Sequence, residues 1–168
     1  FAITRWVASA SHFYGGYFGF EPAGFVDEHG VVARIYNVSA SAAAQLHTYW
    51  GNIFDTPERK ANWDKWLHVF PQKAPVVDIA VYYSKPSIAI QGAHFYEPAF
   101  ELRDYFDYDI IDDDMLTAGA LKKYGLLIWP AGSRAEQNVY DALAKWIAGG
   151  GTLIFYAGSG PVRTVDCA

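Results

Sequence analysis

Apolar and polar positions follow two different patterns on either side of Pro71-Gln72-Lys73-Ala74-Pro75. The two prolines restrict the backbone and remove donors, so this stretch is read as a linker. Beyond it, apolar runs of strand length alternate with helical spacings. Residues 76–83 form a β-branched, apolar run broken only by Asp78, which reads as a buried parallel strand. Residues 96–106 read as a helix with Pro98 in its first turn. A strand over 108–111, a short helix over 116–124 and a strand over 125–129, stopped by Pro130, follow. Ser133-Arg134-Ala135-Glu136 has the spacing of a capping box. The helix it would open places Val139, Ala142, Leu143, Trp146 and Ile147 on one face. Gly149-Gly150-Gly151 ends that helix, and 152–156 is a fourth strand. Strands and helices in alternation, joined by short loops, predict right-handed crossovers and a parallel sheet with helices on both faces. The expected arrangement is flavodoxin-like or amidotransferase-like.

Before the linker the pattern is less regular and richer in Gly, Ser and aromatic residues. Strands are expected over 1–6 and 17–20. Residues 31–44 have helical character interrupted by Ser39 and Ser41. Residues 45–50 read as a strand ending at Gly51-Asn52. An amphipathic helix over 57–70 would turn Trp63, Trp66, Leu67 and Phe70 inward. Strand, helix, strand, helix is the grammar of the closing units of a (β/α)8 barrel. The domain reading is a partial catalytic-barrel segment over 1–70 and an α/β domain over 71–168.

Composition narrows the function classes. Of 168 residues, 52% are hydrophobic and 18% charged, enough for a core and unlike a disordered chain. A net charge of −5 argues against nucleic acid or an anionic membrane surface as the main partner. No apolar stretch approaches the ~20 residues of a membrane span. The one cysteine, Cys167, leaves no internal disulfide and no cysteine-rich metal site. His12, His29, His47, His68 and His94 show no metal-ligand spacing, and no metal or cofactor is expected. The run Asp112-Asp113-Asp114 lacks the alternating ligands a cation loop needs and is read as a capped turn. Aromatic residues reach 17%, enough for packing and also for flat faces that stack on sugar rings.

The residue with the clearest chemical meaning is Glu21. It closes the aromatic run Gly15-Gly16-Tyr17-Phe18-Gly19-Phe20 at a turn, and a carboxylate at a strand's end needs partners or a task. His47, Tyr49, Trp50 and Asn52 end the next predicted strand, and Arg5 and Trp6 end the first; these are the candidate sugar-binding residues, with Trp50 the widest stacking face. A serine-esterase alternative rests on Ser133 or Ser159, each following a predicted strand but without a convincing His–Asp partner.

Phe20-Glu21-Pro22-Ala23-Gly24, Arg34 and Ala43-Ala44-Gln45-Leu46-His47-Thr48-Tyr49-Trp50 resemble the last two βα units of the catalytic barrel in glycoside hydrolase family 42 and neighbouring β-galactosidase-like families. Leu102-Arg103-Asp104-Tyr105, Tyr108-Asp109-Ile110-Ile111-Asp112, Leu126-Leu127-Ile128-Trp129-Pro130 and Gly149-Gly150-Gly151-Thr152-Leu153 resemble the trimerisation domain that follows that barrel. The resemblance implies a fragment or relative of a retaining β-glycosidase, beginning at Phe1 as a piece of a longer chain. Glu21 matches the nucleophile position, and the acid/base glutamate has no counterpart here. Proline directly after the glutamate departs from the family's motif. A carbohydrate substrate and a homo-oligomer, a trimer in the parent, are the implied partners. The alternative is a non-catalytic oligomerisation or binding module.

Overall fold

A computed structural model describes residues 2–21, 26–43, 45–46, 54–69, 73, 76–156 and 161–165. They fall into two compact units, one of residues 1–13 with 77–168, the other of residues 14–76. The first helix of the chain therefore belongs with the regular second half.

The larger unit is an α/β layer around four parallel strands: β3 (Ile79–Tyr83), β4 (Asp109–Asp112), β5 (Leu126–Trp129) and β7 (Thr152–Phe155), in the order β4-β3-β5-β7. Val81 of β3 stands beside Ile110 of β4 and Ile128 of β5. Successive residues of a strand face opposite sides, so the sheet builds two cores. On one side Tyr82, Ile111, Leu127 and Trp129 pack under α6 (Asp113–Thr117), a 3-10 turn (Ala120–Lys123) and α7 (Gln137–Ala148), which contribute Met115, Leu116, Leu121, Val139 and Leu143. On the other, Val81, Ile110 and Ile128 meet Phe95, Ala99 of α5 (Tyr96–Leu102) and Ala2 of α1 (Ala2–Phe13). The expected α/β class and parallel sheet are present.

Residues 1–6 are not the expected strand. The buried residues Ala2, Arg5, Ala8 and Ser9 recur at helical spacing, and the segment forms α1. It lies along β4, an edge of the sheet. The Ile110 N–H donates to the Ser9 hydroxyl at 3.0 Å, giving an outward-facing strand amide a partner. The Ser9 hydroxyl donates back to the Arg5 carbonyl at 2.7 Å. The Arg5 guanidinium, 1% exposed as a residue, pairs with Asp107, and Trp6 stacks on Tyr83 with centroids 4.3 Å apart.

Three further expectations are corrected. The capping box at Ser133 does not form: Arg134–Ala135 is a short strand, β6, paired with β8 (Arg163–Thr164), and α7 starts after Glu136. Ile147 is exposed, because the buried stripe of α7 is Val139 and Leu143, with Ala142 and Trp146 packed beside them. The helix over 116–124 is replaced by α6 and the 3-10 turn, interrupted by Gly119 at φ +95°. One helix escaped the apolar pattern altogether: α4 (Lys85–Gln91), capped by the Ser84 hydroxyl accepting from the Ser87 N–H, with Pro86 in its first turn.

The smaller unit holds a parallel pair, β1 (Gly19–Phe20) with β2 (Gln45–Leu46), joined through α2 (Glu28–Ala40). Asp27 caps α2, its carboxylate accepting from the Gly30 N–H at 2.8 Å. Val31 and Ile35 of α2 are buried against Val26, Phe54 and the tryptophans 63 and 66 of α3 (Pro57–Trp66). The Asn62 amide donates to the Glu28 carbonyl at 3.0 Å. The exposed Lys60–Asp64 pair on α3 is worth only about 0.3–0.5 kcal/mol. The tryptophan contacts therefore hold this helix down. Leu67 is exposed rather than inward because α3 ends at Trp66; Phe70 and most of the expected linker lie outside the described residues.

The chain after β5 is pinned from beneath. The Ser84 and Ser87 hydroxyls donate to the Arg134 carbonyl at 2.5 and 2.9 Å, and the Arg134 N–H donates to the Ser87 hydroxyl at 2.9 Å. Gly132 reaches this bed at φ +80°, where an added Cβ would stand 2.2 Å from Ser87 Cβ. Gly92 also has positive φ, +64°, but nothing lies within 4 Å of its missing Cβ. Gly132→Ala is expected to cost about 2–4 kcal/mol from strain plus overpacking, and Gly92→Ala about 1–2 kcal/mol from backbone alone. Urea unfolding of both variants checks the difference; equal costs would mean the serine bed yields.

Candidate functional site

The smaller unit presents one carboxylate in a position chemistry can use. Phe20 ends β1, and Glu21 follows it with its side chain exposed. Strand β1 runs parallel to β2, with Gly19 beside Gln45 and Phe20 beside Leu46, so Glu21 stands at the carboxyl end of a β–α–β unit. Substrate groups meet parallel α/β sheets at that end, because helix amino termini and loops converge there. The rings of Phe18 and Phe20 lie 5.6 Å apart beside it. His47, Tyr49, Trp50 and Asn52 lie outside the described residues. Arg5 and Trp6 belong to the other compact unit, where Asp107 and Tyr83 are their partners.

The larger unit gathers charged groups at the carboxyl ends of β3 and β4. Asp112 caps α6, accepting from the Met115 N–H at 3.0 Å. Asp113 is buried and accepts from the Tyr82 hydroxyl at 2.7 Å and the Lys85 N–H at 2.9 Å. Lys85 Nζ reaches Asp114 at 2.5 Å and Asp112 at 3.6 Å. Each carboxylate of the run thus has a cap, a buried donor pair or a lysine. Burial raises the Asp113 carboxyl above the ordinary aspartate range, outweighing the donors that pull it down. The Tyr82 phenol is raised as well, by burial first and by the Asp113 charge second. Among the described residues, no group of three His, Cys, Asp or Glu side chains converges as a metal site.

Ser133 follows β5, where an amidotransferase-like sheet would carry its nucleophile. It is 1% exposed. Its hydroxyl accepts from the Gln91 amide at 3.2 Å, and its own N–H donates to the Gln91 carbonyl oxygen at 2.9 Å. A hydroxyl sealed in this way does not meet a substrate. Ser159 lies outside the described residues.

Two surface features had no single-residue signal in the sequence. A groove of about 470 Å³ runs beside the other sheet edge, lined by Leu102, Tyr105, Ile128, Ile154 and Tyr156 among others. A pocket of about 330 Å³ opens after β5, lined by Gln91, His94, Pro130, Gly132 and Tyr156 among others. Both gather residues from three or four separate elements, so only the folded sheet assembles them. Among the described residues no helix is long and apolar enough to cross a membrane.

No family model matches the chain, and no curated protein matches it. Among solved structures, a β-galactosidase from Bifidobacterium adolescentis is similar over part of the chain. The match has a TM-score of 0.35 and 18% identity, and spans 48% of this chain and 40% of that one. A likeness of that extent carries no statement about activity.

The Asp113 carboxyl makes a signed prediction. Its folded-state pKa lies above its unfolded value, so the folded state binds the extra proton. Its contribution to stability is fully present below the ordinary aspartate pKa of about 3.9 and is lost as pH rises through the raised value. Asp113→Asn removes this titration and leaves one of two donors, Tyr82 or Lys85, facing an amide N–H. The variant is expected to be less stable, by a margin that narrows as pH rises through the acid range. Urea unfolding at stepped pH measures that margin; one that widens with pH contradicts the raised carboxyl.

Proposed function

We propose that this chain is a fragment or relative of a retaining β-glycosidase of the β-galactosidase-like kind, with Glu21 in the nucleophile position. The observation that supports it is the exposed Glu21 carboxylate at the carboxyl end of a strand, within a parallel β–α–β unit. The resemblance of Phe20-Glu21-Pro22-Ala23-Gly24 to the end of a β-galactosidase-like barrel strand implies the same role for Glu21. On this reading the Glu21 carboxylate attacks the anomeric carbon and the bond to the leaving oxygen breaks. A second carboxyl, ~5–5.5 Å away, protonates that oxygen. Water then attacks the glycosyl ester, losing its proton to the second carboxyl and releasing the sugar and free Glu21. That second carboxyl matches no position here, so the complete reaction belongs to a longer protein carrying this chain. His47, Tyr49, Trp50 and Asn52 are the proposed sugar wall, with rings stacking on C–H faces and the amide bonding a hydroxyl. Arg5 and Trp6 drop out of it, because their side chains are committed to Asp107 and Tyr83.

A second reading, an assembly module built on the α/β unit, draws on the apolar groove beside β7, where Tyr105 and Ile154 are 82% and 51% exposed. Its occupant would be a second copy of the chain, in an interface that closes into a ring.

Each reading has its own test. In the longer protein, Glu21→Gln is expected to lower aryl β-galactoside hydrolysis by about a thousandfold or more, the loss that follows removal of a group acting in the transition state. Glu21→Ala with added azide should form a glycosyl azide of inverted configuration. Unchanged turnover in Glu21→Gln ends the glycosidase reading. For the assembly reading, Ile154→Glu should lower the mass measured by light scattering; a native chain that is monomeric at every concentration ends it.

A further inference from the structure

The seat of α1 is made by residues far from it in the chain. Arg5 pairs with Asp107 and Ser9 receives the Ile110 amide, partners separated by 102 and 101 positions. The intervening residues 14–76 form a compact unit of their own. Nothing local therefore ties α1 to the sheet it completes. What holds it is the seat itself. Ala2 and Ala8 are buried, Trp6 stacks on Tyr83, the Arg5–Asp107 pair is nearly dry on the arginine side, and one hydroxyl receives the edge amide.

These contacts identify their occupant by chemistry. The seat offers a carboxylate, a strand N–H needing an acceptor and an aromatic face. Residues 5, 9 and 6 of α1 answer them with a guanidinium, a hydroxyl and an indole. A second copy of this chain carries the same three groups at the same spacing. Exchange of one element between copies reproduces the contacts of the seat in the exchanged form.

We propose that the β4 edge accepts α1 from a second copy of this chain, so that two chains assemble by reciprocal exchange of their first helices. At low concentration the chain's own α1 wins, because its tether gives it the higher effective concentration. When the home seat is spoiled, the neighbour's helix takes it. This surface lies at the opposite edge of the sheet from the apolar groove and is independent of the glycosidase reading.

Charge reversal tests it. Arg5→Glu sets a carboxylate against Asp107 and spoils the home seat. Asp107→Arg sets a guanidinium against Arg5, with Arg103 3.9 Å from the same carboxylate in the native chain, and spoils it too. Mixed together, the two variants offer matched pairs only in trans, and both pairs are matched at once. With different affinity tags on the two chains, capture of one should bring down the other at one-to-one stoichiometry. Two differently tagged copies of the same variant should not co-purify. If either variant alone does not fold, the pair is refolded together from urea, and the soluble product should then require both. No co-purification after mixing and co-refolding overturns the proposal. Equal capture between copies of a single variant overturns it as well, since the association would then not use the α1 seat.

Discussion

A parallel strand at the edge of a sheet has backbone amides on its free side, and those amides must find acceptors. That constraint organises the larger unit. Strand β4 is buried along its length, so water cannot serve its outer side. The chain meets the demand with a helix from its own beginning, through one serine hydroxyl at Ile110 and one buried arginine at Asp107. The rest follows from the sealed edge. Ile110 and Val81 can be fully buried because α1 and α5 close the face above them. The opposite face is left to α6, the 3-10 turn and α7, which cover Tyr82, Ile111, Leu127 and Trp129.

Charge in this unit is placed where the backbone requires it. Asp112 and Asp113 are buried and serve amides at the starts of α6 and α4, while Asp109 takes the Tyr124 hydroxyl at 2.8 Å and Lys123 at 2.6 Å. Breaking one partner of such a group strands the other in a poorly solvated place, which is costlier than any exposed pair is worth. The acidic run after β4 is structural for this reason. The smaller unit contrasts with it: Glu21 is solvent-exposed, at the end of a strand that parallel pairing with β2 already anchors.

How much of this could be read from residues alone depended on whether the signal was local. The strands 79–83 and 126–129 were legible as apolar runs close to Pro or Gly, because a strand covered on both faces carries few polar positions, and 152–155 by its apolar run directly after Gly149-Gly150-Gly151, although Thr152 and Ile154 are exposed. Helix 137–148 was legible from its stripe, though its start was misplaced. Ser133 and Glu136 have capping-box spacing, but the serine is claimed by Gln91, which no window of sequence around 133 reveals. The strand expected over 1–6 was a misreading because Ile3 and Thr4 suggest extended chain, while the buried residues at 2, 5, 8 and 9 carry the helical period. The helix at 85–91 was announced by Ser84 and Pro86 and passed over for want of an apolar stripe. Of the site, Glu21 was legible as a lone acid after an aromatic run. The groove and the α1 seat were not, because each joins residues some fifty to a hundred positions apart.

The amide of Gln91 bears on what this sheet could become. It bridges both the backbone and the hydroxyl of Ser133, at the turn where an amidotransferase-like sheet would carry its nucleophile. A directed-evolution campaign seeking acyl-transfer activity there would gain nothing from improving Ser133 first. Its earliest productive step would be at position 91, since only a shorter or apolar residue releases the hydroxyl. The same step loosens the turn, so selection would have to supply compensating rigidity before any turnover appeared.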